Sequence, residues 1–251
     1  MRLILLSLLA FAVAAAQTCG KNDMQGAYGF QLSGATTISG ARVPAASIGR
    51  LVLDGDGNVS GESSVNFKGL FLGNPVTGTY SFNSDCSLAF ALQDDSGAWQ
   101  HFRGTARTGG ATVEIEQTDP GSAVRGTMQR TADNCAASQV RGTYMFTMSA
   151  AATPLAQPGT PDYLSVKGTA EADGAGNLKI AAGKTQTAGT YTMQDGCFAQ
   201  LELTVPAGED SAITATLRGI VVHDGREILA VQTNPQQTAT ARFSLAPSPG
   251  R

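Results

Sequence analysis

Gly78-Thr79-Tyr80-Ser81-Phe82-Asn83-Ser84-Asp85-Cys86 returns later in the chain as Gly189-Thr190-Tyr191-Thr192-Met193-Gln194-Asp195-Gly196-Cys197, with the same spacing from Gly to Cys. Working outward from this pair, further blocks recur in the same order. Gly26-Ala27-Tyr28-Gly29-Phe30 matches Gly142-Thr143-Tyr144-Met145-Phe146. Asp54-Gly55-Asp56-Gly57-Asn58 matches Asp173-Gly174-Ala175-Gly176-Asn177. Arg103-Gly104 matches Arg218-Gly219, and Gln117-Thr118-Asp119-Pro120 matches Gln232-Thr233-Asn234-Pro235. Blocks in one order with loops of unequal length between them make the chain two copies of one unit. Each unit has about 115 residues, enough to bury its own core and near the commonest domain size.

Each unit reads as eight short strands. Runs that alternate, or that are rich in Val, Ile, Thr, Tyr and Phe, are punctuated by Gly, Asp, Asn and Pro. The Asp-Gly-x-Gly-Asn blocks are hairpin turns, where Gly supplies positive φ. Charged residues are only 15% of the chain and Gly numbers 30, and no helical period develops after the first residues. Eight consecutive antiparallel strands leave two unpaired edges unless the sheet closes on itself. The expected fold is therefore all-β, two tandem antiparallel eight-stranded barrels produced by internal duplication. Two β-sandwiches are the alternative.

The chain starts with one positive charge, an apolar run over residues 3–13 and then Ala14-Ala15-Ala16, the pattern of a secretory signal peptide. The run is shorter than the roughly 20 residues a membrane helix needs. Residues 1–16 are read as the signal peptide, 17–132 as the first barrel unit, 133–246 as the second and 247–251 as a disordered tail. Lipid attachment at Cys19 is disfavoured, because Ala16-Gln17-Thr18 is not the small apolar set it requires. A secreted or periplasmic location follows. In such a compartment the four cysteines form disulfides by default. Cys19 precedes Tyr28 by nine residues and Cys135 precedes Tyr144 by nine. Cys86 and Cys197 close the two Gly-Thr-Tyr blocks. The duplication thus selects Cys19–Cys86 and Cys135–Cys197, one bridge per unit.

The formal charge of −3, with Lys and Arg scattered, excludes the basic footprint that nucleic acid requires. No later segment is apolar enough to span a membrane. Asp54, Asp56 and Asn58 offer oxygen ligands, but an EF-hand loop would need Glu where Val65 stands, and Ala175 replaces the second Asp in the other copy. No metal or cofactor is expected. His101 and His223 are the only histidines and are not equivalent in the repeat. Without Gly-x-Ser-x-Gly or His-Glu-x-x-His, hydrolase and zinc chemistry have little support, and no catalytic residue is assigned.

The pattern Gly-x-Tyr-x-Phe (Gly26, Tyr28, Phe30), Asp-Gly-x-Gly-Asn (Asp54 to Asn58), Gly-Thr-Tyr-x5-Cys (Gly78 to Cys86) and Thr-Asp-Pro-Gly (Thr118 to Gly121) resembles a group of uncharacterised exported bacterial β-proteins. The second copy departs from it at Asn234 and lacks the Gly that should follow. The strand count is also similar to calycin-like and allene-oxide-cyclase-like barrels, a likeness of fold that implies no activity.

The candidate ligand-binding residues are few. Leu70, Phe71 and Leu72 form an apolar hairpin tip that lines a barrel mouth, meets the other unit or packs back on its own barrel. Trp99, His101 and Arg103 share one face of the sixth strand; Phe102 and Ala106 share the other. Ala215, Leu217 and Val221 match the Phe102 face, so Trp99 and His101 point outward, toward the domain interface, unless the interior is hollow. Arg103 and Arg218 recur, which implies one common role such as an ion pair. The expected function is non-enzymatic binding of a small apolar ligand inside a barrel. The alternative is a structural or interaction protein of the cell envelope with filled barrels, and a third reading is an isomerase or cyclase with a shaped pocket. Large inward residues would favour filled barrels.

Overall fold

The computed structural model describes residues 19–158, 160, 162–206 and 212–247. The expected signal peptide, residues 1–16, lies outside the described residues, as does the expected tail beyond Pro247.

The first copy contains β1 (Gly26–Ile38), β2 (Ala41–Leu53), β3 (Asn58–Phe67), β4 (Leu70–Phe82), β5 (Ser87–Asp94), β6 (Trp99–Ala106), β7 (Thr112–Gln117) and β8 (Ser122–Arg130). The second contains β9 (Arg141–Ala152), β10 (Tyr163–Asp173), β11 (Asn177–Ala182), β12 (Thr185–Met193), β13 (Phe198–Pro206), β14 (Ala212–Val222), β15 (Glu227–Gln232) and β16 (Gln237–Leu245). Each set closes into an antiparallel barrel: β8 returns to β1 with Tyr28 opposite Arg130, and β16 returns to β9 with Tyr144 opposite Leu245. The sandwich alternative is excluded, because both sheets are closed and leave no edge to cover.

Alternation decides what points inward. Along β9, Tyr144, Phe146, Met148 and Ala150 are buried, while Met145, Thr147 and Ser149 are exposed. The Asp54 and Asp173 hairpins are built alike. Asp54 Oδ1 accepts the amides of Asp56, Gly57 and Asn58, and Oδ2 accepts the Asn58 side chain at 2.6 Å. The carboxylate is committed to the turn, and among the described residues no cluster suited to a metal ion is found. The motif Tyr residues also seal turns: Tyr80 Oη accepts the Gly55 amide at 3.0 Å, and Tyr191 donates to Val140 O at 2.9 Å. In the Arg-Gly blocks the glycine faces inward, where a Cβ at Gly219 would lie 2.7 Å from Leu201. Cys19 is joined to Cys86 and Cys135 to Cys197, the pairing that the duplication selected.

Both lumens are filled. In the first barrel Tyr28, Phe30, Leu51, Phe90, Phe102 and Met128 belong to one buried cluster, with Phe90 stacked on Phe102 at 4.7 Å. In the second, Tyr144, Phe146, Leu201, Leu217 and Phe243 do the same, with Phe146 on Phe243 at 5.6 Å. Each such side chain contributes about 1.5–3 kcal/mol when taken out of water, so the space a ligand would occupy is where each unit gets its stability.

The barrels also pack on each other. Ala46 and Ile48 on β2 meet Phe198, Ile220, Val222, Leu229 and Val231, with Phe71 at the margin. Gln31 Nε2 donates to Ala230 O at 2.6 Å and Ala241 O at 3.0 Å, and Asn66 Nδ2 donates to Gln232 O at 2.6 Å. Strand β15 is buried along its whole length, one face in the lumen and the other against the first barrel. A strand covered on both faces reads as an unbroken apolar run, and Ile228-Leu229-Ala230-Val231 is one. Its counterpart in copy one, Val113-Glu114-Ile115-Glu116, alternates because its outer face meets water.

Candidate functional site

The interface of barrel two is built on the outer faces of β14 and β15, with β16 beside them and Phe198 at the start of β13. In barrel one the repeat counterparts of Ile220, Val222 and Leu229 are Thr105, Arg107 and Glu114, which are exposed, and the candidate residues of β6 lie beside them. Trp99 is 50% exposed, and the Trp99 and His101 rings run nearly parallel, 22° apart with centroids at 6.5 Å. Phe102, between them and Arg103 on the opposite face, is buried. The outward orientation expected from the sequence is therefore found, but the expected direction toward the domain interface is not. Barrel two packs against β1, β2 and the β3–β4 hairpin, and β6 sits elsewhere around the barrel.

Cross-strand register arranges this face in rows. Thr79, Ala91 and His101 form one row; Ser81, Ala89, Arg103, Glu116 and Arg125 form the next. The side chains on β4 and β5 are small, so they form the floor of a trough of about 450 Å³ beside His101 and Arg103. A second hollow of about 800 Å³ continues along Ser87, Thr105, Glu114 and Thr127. Charges on the far side are paired across strands: Arg103 Nε with Glu116 Oε1, and Arg107 Nη2 with Glu114 Oε1 at 2.7 Å.

His101 is fixed by Asp119, the acid of the Thr-Asp-Pro-Gly turn. Asp119 Oδ2 accepts the His101 amide at 2.9 Å and Oδ1 meets the ring Nδ1 at 2.8 Å. Burial alone would raise the Asp119 carboxyl; the hydrogen bonds from His101 and Gln117 outweigh it and hold it below its ordinary value. An ionised carboxylate only accepts, so Nδ1 carries a proton toward Asp119. The pair fixes the orientation of the ring.

Arg103 and Arg218 each form an ion pair with a glutamate, but the partners differ. Val231 stands beside Arg218 where Glu116 stands beside Arg103. Arg218 turns instead to Glu62 of barrel one and lies 4.2 Å over the Phe198 ring. Leu70, Phe71 and Leu72 are not brought together with Trp99. Leu70 and Leu72 are exposed, Phe71 joins the inter-barrel cluster, and a Cβ at Gly69 would lie 2.8 Å from Leu155 of barrel two. The hairpin tip is thus part of the barrel contact and lines neither lumen.

A cleft of about 460 Å³ opens beside that contact, lined by Arg50, Glu62, Ser64, Asp195, Phe198 and Arg218 among others. Arg50 Nε and Arg218 Nε are buried there without a protein acceptor. Arg50 Nη2 is held by Asp133 at 3.0 Å, so both guanidinium groups already have a carboxylate partner. The sequence reasoning passed over Arg50, Glu62 and Asp195 as site residues, because residues far apart in the chain meet only once the barrels dock.

No family model and no curated protein matches this chain. Among solved structures, it aligns with a protein of unknown function from the DUF3598 family of Nostoc punctiforme at 11% identity. That alignment covers 88% of this chain and 95% of the other, with a TM-score of 0.22.

Proposed function

We propose that this is an exported, non-enzymatic binding protein whose two units, residues 17–132 and 133–246, act as one rigid scaffold. Recognition takes place on the outer face of barrel one. The observation that carries this reading is the packing of both lumens: inward aromatic and aliphatic side chains occupy the volume that an internal apolar ligand would need. The favoured role is therefore the interaction protein with filled barrels, and the internal-ligand reading gives way to it.

A secreted or periplasmic location is supported by two disulfides, which persist in oxidising compartments. Among the described residues no helix is long and apolar enough to cross a membrane. The outward positions of β6, β7, β10 and β11 carry Arg103, Glu116, Lys167 and Lys179, where a membrane barrel would carry an apolar band.

The test is native mass spectrometry of the oxidised protein before and after denaturing extraction, with a photocrosslinking residue placed at Ala91 and, as control, at Lys179. A bare mass and a specific adduct through Ala91 are expected. An apolar molecule released only on denaturation would refute the filled-barrel reading. Equal labelling at both positions would refute the choice of face.

A further inference from the structure

The outer face of barrel one has the chemistry of a surface for an uncharged carbohydrate chain, and we infer that a neutral oligosaccharide is its ligand. This rests on the reading that the face is the recognition surface. Three observations converge on it.

The first is an aromatic side chain without a structural task. Trp99 is the only Trp of the chain and is half exposed. In the second copy, counting from Arg218, Thr214 and Thr216 stand where Trp99 and His101 stand, so the fold does not need either ring. A sugar ring presents a flat patch of C–H groups, and an exposed indole is the side chain best suited to cover it.

The second is charge. The face carries Arg103, Arg107 and Arg125 against Glu114, Glu116 and Asp119. Arg103 pairs with Glu116, Arg107 with Glu114 and His101 with Asp119, so the face offers fixed donors and acceptors, and its three arginines and three carboxylates balance in charge. A polyanion would meet three carboxylates and a polycation three guanidinium groups. A hydroxyl group both donates and accepts, so a chain of hydroxyls matches such a mixed row at either partner.

The third is shape. The floor of Thr79, Ser81, Ala89 and Ala91 is low, flanked by taller side chains on β6, which leaves an open-sided trough suited to a chain more than to an enclosed molecule. An extended peptide is a poor occupant, because a closed barrel exposes no strand edge for it to pair with. A lipid is a poor one as well, since beside Trp99 the flanking positions are His101, Arg103 and Glu116.

Trp99 makes the test direct, because its fluorescence reports on this face alone. The full oxidised protein is titrated with hexamers of β-1,4-linked glucose, of β-1,4-linked N-acetylglucosamine and of α-1,4-linked glucose, with a galacturonate hexamer as the charged contrast. At least one neutral hexamer is expected to shift Trp99 emission to the blue and to bind at least tenfold more tightly than the galacturonate. By calorimetry, Trp99→Ala is expected to weaken that binding at least tenfold and Trp99→Phe less than threefold, with unchanged thermal unfolding. Tighter binding of the galacturonate, or equal binding by Trp99→Ala, overturns the inference. So does silence toward every neutral hexamer. The Ala91 crosslink then separates the two claims: a protein adduct there, with no saccharide binding, removes the carbohydrate and leaves the recognition face standing. Neither signal removes both.

Discussion

Replacing Ile48 by Lys, the residue that copy two carries at the equivalent position (Lys167), should open the barrel pair without unfolding either barrel. Ile48 is fully buried, yet it belongs to the cluster between the barrels and not to either lumen. Removing its burial costs about 1.5–3 kcal/mol. An unpaired ammonium among Phe198, Ile220 and Leu229 adds further cost, several kcal/mol if it stays buried. A combined loss of about 4 kcal/mol weakens the contact roughly 10³-fold. The short connector after β8 supplies an effective concentration on the order of millimolar. The pair stays closed only while the intrinsic dissociation constant lies below that value, and a 10³-fold weakening carries it past for any parent constant above about 1 μM. X-ray scattering should show a larger radius of gyration for I48K, and calorimetry should resolve two transitions in place of one. Ile48→Val, costing about 0.5–1.5 kcal/mol, should leave the pair closed. If I48K gives the parent scattering curve and a single transition, the apolar patch is not what holds the barrels together.

Other expectations follow from the same geometry. Changing Cys135 and Cys197 together to Ala opens a loop with a sequence separation of 62 residues; the chain-entropy model gives a loss of about 4 kcal/mol from barrel two, which urea unfolding should detect as an earlier transition of that barrel alone. Burial pushes the Tyr144 phenol up to about 12, and Tyr28 likewise to about 12. Because the folded value exceeds the unfolded value of about 10, this contribution is whole below about pH 10 and is lost as pH rises toward 12. Tyr144→Phe should flatten that alkaline limb in part and cost about 1–2 kcal/mol at neutral pH, since Gly225 O loses its donor at 2.6 Å. The Asn177 side chain, with the amides of Ala175 and Asn177, holds Asp173 down to about 2. Its contribution is present above about pH 4 and disappears as pH falls through about 2, and Asn177→Ala should return the carboxyl toward 4 in an NMR titration.

Much of the architecture was legible because its causes are local. Alternation sets inside from outside, Asp-Gly-x-Gly-Asn forces a turn through its own hydrogen bonds, and a repeated Cys spacing assigns the bridges. Strand ends were less so. β1 and β2 run to thirteen residues each, beyond their apolar stretches, because pairing in a long hairpin continues after burial stops. The Trp99 face was readable as outward from Phe102 and its match Leu217. Its freedom from barrel two was not.

Sequence by itself therefore determined two duplicated, disulfide-bonded, eight-stranded units and the direction of most side chains, since each of these follows from residues close in the chain or from a repeat compared with itself. Only the tertiary structure decided which outer face is covered, and with it the different fates of Arg103 and Arg218. Alternation gives every strand an outside, but whether that outside meets water or another barrel depends on surfaces that approach only after each barrel has closed. Gly29 shows the point: a Cβ there would sit 2.7 Å from Val222, while its counterpart Met145 projects 55% exposed into solvent.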